Sequence, residues 1–138
     1  MLGELTKKYK TIAVCGCHGK TTTTCLLSHV FNNIVGTNYL IGDGTGYASL
    51  DNDYFMIEAC EYKRHFLNYF PQYIIMTNIE FDHMDYYKDL EDIKSAYKEF
   101  CNNARSVIAC GDDNNIRSIN IKNLCLFYGF KDNNDVIA

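Results

Sequence analysis

Gly16-Cys-His-Gly-Lys-Thr21 has the residue types and spacing to hold a chain of phosphates. Glycines let backbone N–H groups approach phosphate oxygens with no side chain in the way. Lys20 can reach the β- and γ-phosphates, and Thr21 can offer a hydroxyl to Mg²⁺. Gly16, His18, Gly19, Lys20, Thr21 and Thr22 are therefore the candidate nucleotide-binding residues. The spacing is tighter than the general phosphate-loop pattern G-x-x-x-x-G-K-[ST]: Val14 stands where its first glycine would be. The alternative reading is a helix-starting turn with an incidental lysine.

Two further clusters carry carboxylates and histidines: Glu58-Ala-Cys-Glu-Tyr-Lys-Arg-His65 and Thr77-Asn-Ile-Glu-Phe-Asp-His-Met-Asp85. Magnesium takes oxygen ligands and leaves most positions to water and phosphate, which makes Glu58 the candidate acid. His83 is a less usual magnesium ligand and reads from chemistry alone as a neighbouring or substrate-facing group. Asp82 and Asp85 are equally well explained as local caps. Glu61 reads as solvated, His65 as packed or superficial, and His29 as structural. Lys63 and Arg64 are either solvated or turned toward an anionic substrate. Cys15-x-Cys17-His18 could suggest a metal site, but the phosphate loop explains the same residues better.

These residues need elements to place them. Residues 11–15 read as a buried strand feeding the loop, and residues 39–41, 54–58, 73–77, 107–110 and 124–128 as further strands. After the loop, Leu26, Leu27, Val30, Phe31 and Ile34 recur at helical spacing. Asp89 and Asp92 form a helix-start signature ahead of an apolar face made by Leu90, Ile93, Tyr97, Phe100, Cys101 and Ala104. Residues 112–119 predict a short helix, and 42–46 and 131–135 predict loops. Apolar strands alternating with helices imply an α/β fold, a mainly parallel sheet covered by helices on both faces. Ligands of such sheets bind beyond the carboxyl ends of the strands, where the phosphate loop and both acidic clusters fall.

Composition agrees with one soluble domain: 138 residues, 47% hydrophobic and 22% charged. A net charge of -4 without a basic block argues against nucleic acid as a partner. No apolar run is long enough to span a bilayer. Seven cysteines without CxxC pairs fit a reducing cytoplasm better than a disulfide framework.

Taken together, the motifs resemble the Mur ligase family. GCHGKTTTT resembles that family's shortened loop, G-T-x-G-K-T, and TNIEFDHMDYY resembles the segment around its metal-binding histidine. EACEYKRHF, LIGDGTG, and CGDD followed later by YGF are similar to the branch that adds L-alanine to UDP-N-acetylmuramate. The loop alone would be shared with folylpolyglutamate and cyanophycin synthetases.

The resemblance implies a P-loop ATPase-like central domain, here incomplete. Residues 1–138 would be part of it, without the N-terminal UDP-sugar domain and the C-terminal amino-acid domain. It implies ATP and Mg²⁺ as cofactors. Lys20, Glu58 and His83 would be catalytic, and Thr21, Glu58 and His83 would hold the metal. Asn78 and Glu80 would line the nucleotide site. Some members use a carbamylated lysine. Lys98 lies in that interval, but Tyr97 takes the matching place in the alanine-adding branch. Cys17, Cys60 and Lys63 depart from residues usual in the family. The implied reaction joins UDP-N-acetylmuramate and L-alanine through an acyl phosphate. A nucleotide-binding fragment without ligase activity is the main rival reading. A small kinase or other NTPase fits the loop spacing and TNIEFDHMD less well.

Overall fold

The computed structural model describes the backbone of all residues from Met1 to Ala138 and every side chain except that of Cys125. An eight-stranded sheet forms its centre, in the order β3-β2-β4-β1-β5-β6-β7-β8. The strands are β1 (Lys10–Cys15), β2 (Asn38–Leu40), β3 (Gly46–Tyr47), β4 (Tyr54–Glu58), β5 (Tyr73–Met76), β6 (Ser106–Cys110), β7 (Leu124–Gly129) and β8 (Val136–Ile137). All neighbours pair in parallel except β2 with β3. Residues 11–15 of β1 are all buried, as a strand covered on both faces requires.

The two faces are packed differently. Ala13, Cys15, Ile74, Met76, Val107 and Ala109 point to one side. There they meet α3 (Leu90–Cys101), whose Ile93, Ala96, Tyr97, Phe100 and Cys101 are buried. Phe66 stacks on Phe100 with ring centroids 4.5 Å apart and meets Tyr97 edge-on at 5.3 Å. Asp89 caps α3 as its sequence indicates, accepting the Asp92 N–H at 2.8 Å.

On the opposite face α2 (Lys20–Ile34) lies over β1 and β4. Beyond it, Ile12, Leu27, Phe31, Tyr73, Ile75 and Ile108 line an apolar cleft of about 300 Å³. The apolar face expected of α2 is only partly realised. Leu26, Val30 and Ile34 are exposed, while Thr24 and Ser28 are buried. The helix is rotated so that the 20-24-28 row faces inward, because its first turn must present the phosphate loop.

Four elements went unread in the sequence: α1 (Leu2–Lys8), β3, β8 and the 3-10 segment Tyr62–Asn68. The first is held by its buried Thr6, whose hydroxyl accepts the Phe70 N–H at 3.0 Å. The expected loop 42–46 ends in β3, and the expected helix 112–119 shortens to α4 (Asn114–Arg117). The 131–135 loop leads into β8. Among the described residues no helix is long and apolar enough to cross a membrane.

Candidate nucleotide-binding site

The phosphate loop joins the carboxyl end of β1 to α2, and close approaches to the end of β5 set its shape. A Cβ on Gly16 (φ 140°) would fall 2.0 Å from Thr77 Oγ1, so only glycine fits there. The Thr77 hydroxyl donates to the His18 carbonyl at 2.7 Å. Asn78 clasps His18 at both ends: its Oδ1 accepts the His18 N–H (2.8 Å) and its Nδ2 donates to the His18 carbonyl (2.9 Å). Cys17 Sγ accepts the Glu80 N–H at 3.1 Å and lies 3.9 Å from the Tyr97 hydroxyl. Burial pushes the Cys17 thiol above its ordinary range, so it stays protonated near neutrality.

Gly19 takes a left-handed conformation (φ 79°) at the N-cap of α2. No side chain caps this helix, and its first turn contains no acid. The leading N–H groups of a 15-residue helix therefore face the cleft with the positive end of its dipole behind them, an arrangement suited to phosphate. The cleft is about 310 Å³ and is lined by Cys17, His18, Gly19, Lys20, Thr21, Thr22 and Glu58.

Lys20 turns back onto the loop, donating to the Gly16 carbonyl (2.6 Å) and the Cys17 carbonyl (3.1 Å). It also faces the carboxylate of Glu61, with Nζ 3.1 Å from Oε2. Thr21 Oγ1 donates to Glu58 Oε2 at 3.0 Å, and the Gly42 N–H donates to the same oxygen at 2.9 Å. A hydroxyl and a carboxylate side by side suit Mg²⁺, which takes oxygen donors and fills its remaining positions with phosphate and water. Among the described residues no three His, Cys, Asp or Glu side chains converge as a metal cage. An ion here would depend on its nucleotide for the other ligands.

His83 sits in a left-handed backbone conformation (φ 55°), its ring 4.8 Å from that of Tyr62. It turns to Glu61, with Nε2 3.5 Å from Oε1. Glu58 thus meets Thr21 and His83 meets Glu61, while the adjacent Lys20 and Thr21 join the two pairs.

Glu61, read as solvated in the sequence, is fully buried. It lies at the start of the 3-10 segment Tyr62–Asn68, beneath the loop, where the Tyr87 hydroxyl donates to its carbonyl at 2.6 Å. Its spacing three residues after Glu58 was visible in sequence; its depth was not. Thr77 was also passed over, although its place just after a strand neighbouring β1 was a usable signal.

Other candidates lie elsewhere. Arg64 is engaged by Asp92 (2.6 Å) and Glu99 (3.4 Å) of α3, while Lys63 is exposed. Asp82 accepts the His83 N–H, and Asp85 accepts the Tyr62 hydroxyl at 2.6 Å. Glu80 places a carboxylate oxygen 3.4 Å from His18 Nε2. His29 is exposed on α2. Lys98 lines a groove with Glu91, Lys94 and Ser118, whereas Tyr97 reaches the phosphate loop.

Residues 14–138 match the family model described as Mur ligase middle domain. The chain belongs to the Mur ligase family. Solved structures of Mur ligases share its fold. UDP-N-acetylmuramate:L-alanyl-gamma-D-glutamyl-meso-diaminopimelate ligase from Neisseria meningitides is 25% identical, with a TM-score of 0.73 over 84% of this chain and 44% of that one. UDP-N-acetylmuramate-alanine ligase from Thermotoga maritima is 24% identical, with a TM-score of 0.73 over 93% of this chain and 31% of that one. A MurF ligase from Thermotoga maritima, solved in complex with ADP, is 18% identical, with a TM-score of 0.73 over 90% and 33%. This Mur ligase middle domain thus spans less than half the length of each of these relatives.

Proposed function

We propose that this domain binds ATP and Mg²⁺ within a longer cytoplasmic ligase that adds L-alanine to the lactyl carboxylate of UDP-N-acetylmuramate in peptidoglycan precursor synthesis. The observation that carries the reading is the uncapped start of α2, with Lys20 and the Thr21–Glu58 pair at the carboxyl ends of adjacent strands β1 and β4. The motifs similar to the alanine-adding branch support the choice of amino acid.

A carboxylate is a poor electrophile. Attack of its oxygen on the γ-phosphorus of ATP forms an acyl phosphate and releases ADP. The amine of L-alanine then attacks the activated carbonyl and phosphate departs. The backbone donors of residues 19–22 would bind the phosphates, and Lys20 would offset negative charge on the transferring group. Thr21, Glu58 and His83 would hold Mg²⁺, which when bound polarises the phosphoryl oxygens. Asn78 and Thr77 would keep the loop in shape rather than touch the nucleotide. Catalysis would then be mostly positioning.

Calorimetric titration with ATP, with and without Mg²⁺, tests the site. Saturable, Mg²⁺-dependent binding is expected, and Lys20→Ala should remove it while cooperative melting persists. In the longer polypeptide the same change should abolish ligase turnover; retained turnover would sink the role given to Lys20. The rival reading, nucleotide binding without ligation, predicts phosphate release from the longer polypeptide that UDP-N-acetylmuramate and L-alanine fail to stimulate.

A further inference from the structure

Among the described residues Glu61 is the one charged side chain that is buried, and it carries negative charge under a loop built to receive anions. A carboxylate there opposes phosphate binding by simple electrostatics, and burying it is costly unless it is paired. Its pairing is unusual. One carboxylate faces Lys20 from the phosphate loop at 3.1 Å and His83 from the segment after β5 at 3.5 Å. Its Oε2 has no donor aligned on it, although the atom is sealed from solvent. Lys20 spends its remaining donors on two backbone carbonyls, contacts that a phosphate oxygen can displace.

We propose that Glu61 is a positioning residue that fixes Lys20 and His83 relative to each other, so that Lys20 meets the terminal phosphate of a nucleoside triphosphate while His83 stays placed for the metal ion that accompanies it. The proposal rests on reading the loop as an ATP site. When a nucleotide enters, Lys20 exchanges the Gly16 and Cys17 carbonyls for phosphate oxygens, while Glu61 keeps its stem on a short arc. Without the Glu61 charge, Lys20 follows whichever phosphate is nearest and His83 loses its orienting partner. Binding then loses its specific hold on the terminal phosphate and distinguishes ATP from ADP less well. A carboxylate needed only for packing would affect both nucleotides alike.

The test is calorimetry with ATP and with ADP, both with Mg²⁺, on the wild-type chain, Glu61→Gln, His83→Ala and the double variant, each checked for cooperative melting. The wild type should prefer ATP. E61Q should lower the ATP-to-ADP affinity ratio by about tenfold, H83A should lower it similarly, and the double variant should lower it little further. Glu61→Asp keeps the charge but withdraws it by one methylene; it carries the same prediction and stands in if the glutamine variant does not fold. An unchanged ratio, or equal weakening of both nucleotides, overturns the role of Glu61 while leaving the ATP site intact. A wild-type chain that binds neither nucleotide overturns the ATP-site reading, and the role of Glu61 with it.

Discussion

Cys17 shows what a single residue contributes. By resemblance it departs from the threonine or alanine usual in the loop. Its sulfur accepts the Glu80 N–H and faces the Tyr97 hydroxyl, which links the loop to the segment after β5 and to α3. The thiol is buried and held protonated, whereas Cys25 and Cys60 are exposed. Only the thiolate is a good nucleophile, so iodoacetamide at neutral pH should label Cys25 and Cys60 well before Cys17, as read by peptide mass mapping. Equal labelling of all three would contradict this packing. The residues of the loop were legible because glycine, lysine and threonine in that order have few other uses at a strand-to-helix junction. Glu61 was not, because acids three apart after a strand look the same whether solvated or buried; its depth depends on the turn of Tyr62–Asn68 and on Tyr87, far away in sequence.

Among the elements, α3 was read correctly in start and face because its apolar positions and its Asp89 cap agree. For α2 the spacing suggested a face that is right only in part: Leu27 and Phe31 turn toward the sheet, but Leu26, Val30 and Ile34 do not. Apolar residues occur around much of its circumference, and the loop at its N-terminus, not hydrophobicity, fixes its rotation. One result is a buried Ser28 hydroxyl without a hydrogen-bond partner among the described residues. Such a group costs roughly 1–3 kcal/mol of desolvation. Ser28→Ala should therefore raise stability by about 1 kcal/mol in urea unfolding, helped by alanine's better helix propensity. A loss of stability would mean that Ser28 has a partner in solution. The two-residue strands β3 and β8 were missed because they are too short to show any alternation.

For the whole molecule, the parallel sheet with helices on both faces was legible from apolar runs alternating with helical spacing. Strand order was not, since it depends on pairings between distant segments. The outer strands are tied by Asp112, whose carboxylate accepts N–H groups from Phe130 (2.7 Å) and Lys131 (3.2 Å) and the Asn134 amide (2.7 Å). These bonds, the Phe130 N–H foremost, hold the carboxyl below its ordinary value. Its contribution to stability is thus present above the unfolded carboxylate value of about 4 and is lost as pH falls through the lower folded value. Asp112→Ala should lower the melting temperature at pH 7, and the gap to wild type should close as the pH drops below about 4. A gap that does not change with pH would mean that the charge plays no part.

Strand β1 has β4 on one side and β5 on the other, both made later: Lys10 pairs with Tyr54 and Ile12 with Tyr73. The loop it carries is clasped by Asn78 and Glu80. During synthesis on the ribosome the glycines and lysine of the loop therefore emerge without partners and wait until residues some sixty positions later have been added. At roughly 5–20 residues per second that wait lasts about 3–12 s. In the nascent chain, nucleotide binding thus lags the synthesis of the loop itself by that wait.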